Sequence, residues 1–120
     1  MEIRKIKVNG NEYQFVNSSR NTRNGFAHDT TLFVDGREYG RASCHYLNRT
    51  WECYRYQTVM KRCIGDLIEL NYKDYVEVYK ADNNIKRLTA EKREQIDTEF
   101  YKQKNIKELQ KVYKLLDNRD

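Results

Sequence analysis

The chain contains no proline, so it offers neither rigid proline-rich linkers nor docking segments of the polyproline kind. Cysteine is scarce. Cys44, Cys53 and Cys63 are odd in number and lack the CxxC or HxxxH spacing of a metal site. The expectation is reduced, buried thiols, with no metal and no cofactor. Long apolar runs are missing as well. None approaches the roughly 18 residues that a membrane span needs, and the opening "MEIRKIKVNG" lacks the apolar region of a secretory leader. A cytoplasmic location without a membrane partner is therefore expected. Nor is there an excess of acid: 23 Lys and Arg stand against 18 Asp and Glu, a net charge of +5 spread over both halves. A mimic of nucleic acid needs a dense negative surface, which this chain does not supply.

What is present is aromatic and charged. Ten Tyr, four Phe and one Trp in 120 residues argue for a packed core and against disorder. The length suits a single domain over residues 1–120. Its first part, about residues 2–47, reads as β structure. Ile6 and Val8 alternate with lysines, Asn9-Gly10 is a strong hairpin signal, and Tyr13 and Phe15 alternate on the return. The stretch "NSSRNTRNG" (17–25) is polar and turn-rich and predicts a loop. Strand character resumes over Ala27–Val34, Asp35-Gly36 repeats the hairpin chemistry, and the chain returns through Tyr39 to Tyr46. In that last strand Ala42, Cys44 and Tyr46 share one face, and Arg41, Ser43 and His45 the other.

The second part, about residues 51–118, reads as helix. Asn48 or Thr50 can cap a helix with Trp51 in its first turn, closing over the sheet edge. Tyr56, Val59, Met60, Cys63, Ile64, Leu67 and Ile68 then recur at three and four. Gly65 is expected to let this helix approach the sheet, and "YVEVY" to continue it until Asp82-Asn83-Asn84. Thr89 is a suitable N-cap for a helix to about Tyr101, and Asn105 with Glu108 forms a capping-box-like start for a last one. The predicted fold class is α+β. A four-stranded antiparallel sheet of two hairpins packs on one helix, and two C-terminal helices follow.

Candidate sites are few. Arg20, Arg23 and Asn24, in the predicted loop, suit a phosphate backbone or a carboxylate-rich protein surface. Arg49 and Arg55, beside Trp51 and Tyr54 at the strand–helix junction, combine the residue types that supply binding hot spots. All five are expected to contact a partner. His28 and Asp29 are neighbours and point to opposite faces of a strand, and no nucleophile elbow or phosphate loop accompanies them, so no catalytic residue and no enzyme is expected. Lys104, Lys107, Lys111 and Lys114 fall on one side of the last helix, which keeps nucleic-acid contact in view.

Three segments carry a family resemblance: Arg23-Asn24-Gly25-Phe26-Ala27-His28, Leu47-Asn48-Arg49-Thr50-Trp51-Glu52 and Tyr56-Gln57-Thr58-Val59-Met60. Across about residues 20–65 the chain resembles small proteins of phages, integrative elements and plasmids of Firmicutes, some of which look like anti-CRISPR proteins. The resemblance implies a mobile-element inhibitor in a bacterial cytoplasm. Its implied partner is a host defence protein, expected to be a type II CRISPR nuclease–guide RNA complex. The alternative is a small nucleic-acid-binding accessory or regulatory protein.

Overall fold

A computed structural model describes residues 1–47 and 56–117. Four strands, β1 (Glu2–Val8), β2 (Asn11–Thr22), β3 (Gly25–Val34) and β4 (Arg37–Leu47), are followed by α1 (Tyr56–Asp82), α2 (Ala90–Tyr101) and α3 (Lys104–Leu115). The strands pair in chain order as one antiparallel sheet, so the α+β architecture predicted from the pattern is the observed one.

Two of its three turns follow directly from their residues. Asn9 and Gly10 have φ of 52° and 84°, and Asp35 and Gly36 have 50° and 85°. Positive φ at both central positions is what a tight hairpin between twisted strands requires, and Gly tolerates it freely. The third turn, Arg23-Asn24, closes on the Thr22–Gly25 pair without positive φ at either residue.

Here the sequence reading needs correction. Residues 17–22 are not a loop but the second half of β2, paired with β3 from Asn17–Thr30 to Thr22–Gly25. The polar residues keep the strand's period of two and answer one another across it. Asn17 is fully buried, accepts from Thr30 Oγ1 at 2.5 Å and donates to Met60 Sδ at 3.4 Å. Ser19 bridges His28 Nδ1 at 2.7 Å and the Tyr56 hydroxyl at 2.8 Å. Buried polar groups are tolerated when they are hydrogen-bonded, so a strand can carry them on its core face.

The core lies on one side of the sheet. Phe15 and Leu32, fully buried on β2 and β3, meet Val59, Met60, Cys63 and Ile64 of α1 and Ile106, Leu109, Val112 and Leu116 of the α3 segment. The sheet covers only part of α1. Further along, Tyr72 and Tyr75 place their rings edge-on to Phe100 of α2, at 5.1 and 5.6 Å between centroids. Their hydroxyls donate to Asp97 and Glu99; the Tyr72 phenol pKa is raised first by its Asp97 bond, and that of Tyr75 first by desolvation and then by its Glu99 bond. The helical reading of "YVEVY" therefore holds, and Asn84 (φ 52°) ends α1 in the left-handed conformation common after helix C-termini.

Two smaller expectations resolve differently. Gly65 does not mediate a close approach, because a Cβ there would meet nothing within 4 Å. Asn105 is not the cap of α3. Gln103 holds that position, and the Glu108 carboxylate is bound across the molecule by Asn11 and Tyr13. Thr89 does cap α2, accepting from the Lys92 amide at 3.3 Å. Trp51 and its proposed closure over the sheet edge lie outside the described residues.

Candidate contact surface

Helices α1 and α3 pack on one face of the sheet, through Tyr13, Phe15, Leu32, Ala42 and Cys44, and α2 packs on α1 and α3. Strand alternation sends the intervening residues to the opposite, outer face. There Ile3, Val16, Thr31 and Arg41 lie in one row across the four strands, and Lys5, Gln14, Phe33 and Glu38 in the next. Ile3 is 49% exposed, although it is apolar. Three opposite-sign pairs lie on this face: Lys5 with Glu12 at 3.8 Å, Arg20 with Asp29 at 3.0 Å and Arg41 with Glu38 at 2.5 Å.

Three of the five expected contact residues share one place. Arg20 sits on β2 two residues before the turn, and Arg23 and Asn24 form the turn itself, exposed at the tip of the β2–β3 hairpin. Arg20 is partly committed, because its Nε donates to Asp29. Asp29 also accepts from Ser43 Oγ at 2.5 Å on the next strand. The Ser43 hydrogen bond, and secondarily Arg20, hold the Asp29 carboxyl below the usual carboxylate range. Among the described residues Arg23 and Asn24 make no side-chain hydrogen bond or ion pair. Arg49 and Arg55 fall outside the described residues.

Sequence reasoning missed Ser43, and with it the ladder Arg20–Asp29–Ser43. Its signal was the alternation of β3 against β4, readable only once their register was known. A second cross-strand contact, Thr22 Oγ1 with His45 Nε2 at 2.6 Å, lies close to the tip. His28 and Asp29 do face opposite ways. His28 is buried against Phe26 and Tyr56, with ring centroids at 5.3 and 4.6 Å, and pins the start of α1 to the sheet.

Away from the sheet, the side of α3 opposite its buried residues carries Lys104, Lys107, Lys111 and Lys114, all exposed. Among the described residues none of the four is ion-paired. Cys44 and Cys63 are free and buried, and burial, with the Asp66 charge secondary, pushes the Cys63 thiol up to about 11. Such a thiol is a packing residue rather than a nucleophile at neutral pH. Among the described residues no group of three or more His, Cys, Asp or Glu is placed to share a metal ion, and no helix is long and apolar enough to cross a membrane. Comparison with protein-family models, with curated proteins and with solved structures finds no match for this chain.

Proposed function

We propose that the protein is a mobile-element inhibitor that docks on a bacterial defence protein, with a type II CRISPR nuclease complex as its target. One observation carries the docking part. Of the described helices, α1 and α3 pack on one side of the sheet and α2 packs on those two, and the outer face ends in a hairpin tip where Arg20, Arg23 and Asn24 are exposed. Its mixture of opposite charges, hydroxyls and a few apolar side chains suits a protein surface better than a polyanion, which would favour one sign. The mobile-element part rests on the sequence resemblance over residues 20–65. In the cell such a protein works in the cytoplasm by occupying a surface the nuclease needs or by holding it inactive.

The test is co-purification with a panel of type II effector complexes, together with their DNA cleavage in the presence of the chain. Binding and loss of cleavage by one effector support the reading. A panel neither bound nor inhibited ends it.

The lysine row of α3 favours a second reading, a nucleic-acid-binding accessory protein. Contacts of this kind weaken steeply with salt because bound lysines displace counterions. Titration with labelled DNA and RNA at low and moderate salt decides it, and no binding at low salt removes it.

A further inference from the structure

At the end of the sheet opposite the hairpin tip, a cleft of about 440 Å³ opens between β2–β4, α1 and α3. Its walls are apolar, with Val34, Leu67, Leu70 and Leu109, and aromatic, with Tyr13 and Tyr39. Among the described residues its polar lining includes Asp74 and Glu108 but no Lys or Arg, in a protein whose net charge is +5. The Glu108 carboxylate is held fast. Asn11 Nδ2 donates to its two oxygens at 3.0 and 2.9 Å, and the Tyr13 hydroxyl donates to Oε2. All these donors are neutral, so they fix the charge without cancelling it. Among the described residues no basic side chain reaches ion-pair distance of Glu108 or Asp74.

The aromatic wall is also a built feature. β3 and β4 shift register between Leu32 and Phe33, where Leu32 pairs with Gly40 but Phe33 with Glu38. Tyr39 is the extra residue of this bulge, and it lines the cleft while remaining 49% exposed. Leu70, at 56% exposed, flanks it from α1.

We propose that this cleft receives an arginine side chain presented by a partner protein. A guanidinium is weakly hydrated, pairs with carboxylates through several donors and stacks on aromatic rings, so the fixed Glu108 carboxylate, with Asp74 as a second one and the exposed Tyr39 ring beside them, selects it over a strongly hydrated ammonium. The cleft exceeds the size of a guanidinium alone. Its leucines and valine suit the arginine's methylene stem and an apolar neighbour in the same peptide, which favours a side chain on a protein over a free small cation. The cleft and the hairpin tip lie at opposite ends of the sheet, so the two contacts stand or fall separately.

The experiment needs only the purified chain. A blocked pentapeptide with one arginine between two leucines is titrated by NMR, beside the same peptide carrying citrulline, which keeps the shape and removes the charge. Saturable shifts at Tyr39 and Leu70 are expected, with the citrulline peptide about tenfold weaker. Asp74→Asn and Glu108→Gln should each weaken the arginine peptide by about fivefold. Asp74 is exposed and makes no fold-defining bond, so its variant decides the matter even if Glu108→Gln unfolds. Equal binding of the citrulline peptide, or unchanged binding by Asp74→Asn, overturns the proposal. So does a blocked arginine amide that binds as tightly as the pentapeptide, because the cleft then serves a free guanidinium ligand.

Discussion

The two ends of the sheet hold their shape by different means. At one end Asn9-Gly10 and Asp35-Gly36 adopt left-handed conformations, and the Asp35 turn is tied back to β2. There the Asp35 amide donates to Glu12 O at 2.9 Å and the Glu12 amide donates to Asp35 Oδ1 at 2.8 Å. Glycine and the Asx side chain do this work locally, within a few residues of sequence. At the other end the Arg23-Asn24 turn has no such residue conformation, and the strands stay paired through cross-strand polar contacts on both faces. Asn17–Thr30 and Ser19–His28 lie on the core face, and Arg20–Asp29–Ser43 and Thr22–His45 on the outer one. The first end is specified by turn chemistry, the second by register. An end held by turn chemistry tolerates surface change and not glycine replacement. An end held by a polar ladder tolerates the reverse.

Asn17→Ala strikes the second end hardest. It removes a fully buried amide, leaves the Thr30 hydroxyl without its acceptor and opens a small cavity beside Met60. A loss of about 2–4 kcal/mol in urea or guanidinium unfolding is expected. A loss below about 1 kcal/mol would mean the ladder does not hold the β2–β3 extension.

Gly36→Ala strikes the first end. Its φ of 85° lies where an L-residue pays about 1–2 kcal/mol, although a Cβ would meet no atom within 4 Å. The contrasting change is Asn24→Gly. No left-handed conformation is present at Asn24 to relieve, so glycine there should cost about 0.5–1 kcal/mol through the unfolded chain instead of stabilising. If thermal unfolding showed Asn24→Gly to be stabilising, the two turns would not differ as described.

This contrast also explains which parts of the fold the sequence disclosed. Asn9-Gly10, Asp35-Gly36, the Thr89 cap and the apolar stripe of α1 are local signals, each contained within one or two turns of chain. "NSSRNT" carries no such signal. Its alternation of core and outer positions is written in polar residues on both sides, and only the partners Thr30, His28 and Tyr56 show which ones face the core. Glu108 misled for the same reason: its spacing from Asn105 fits a cap, but two donors from β2 take its carboxylate. Arg20, Arg23 and Asn24, expected together in a loop, do lie together, but on a strand pair and its turn.

The outer ladder should be visible as a titration. Asp29 is held below its ordinary pKa by Ser43 first and Arg20 second. A carboxyl whose folded pKa is lowered contributes stability that is fully present above its unfolded pKa, near 3.9. That contribution is lost as the pH falls through the folded value, so the sensitive window lies in the acid range, below the ordinary carboxylate pKa. Following the Asp29 carboxyl by NMR, Ser43→Ala should move its pKa up towards the ordinary value, and Arg20→Ala should move it less. The opposite ranking would assign the ladder's strength to the ion pair.

The smallest effect on stability is also the most telling for function. Arg20 pairs with Asp29 at an exposed site, its own side chain 61% exposed, and Arg23 has no side-chain partner among the described residues. Exposed pairs contribute about 0–1 kcal/mol, so Arg20→Ala should lower stability by no more than that, and Arg23→Ala by less than about 0.5 kcal/mol. Both variants should nevertheless lose most of their capture of the target complex if the hairpin tip is the contact. The tip is then a place where the fold gains almost nothing from its arginines and the partner gains much. Variants that unfold would show the tip to be structural. Variants that stay folded and still capture the complex would move the contact away from this end of the sheet.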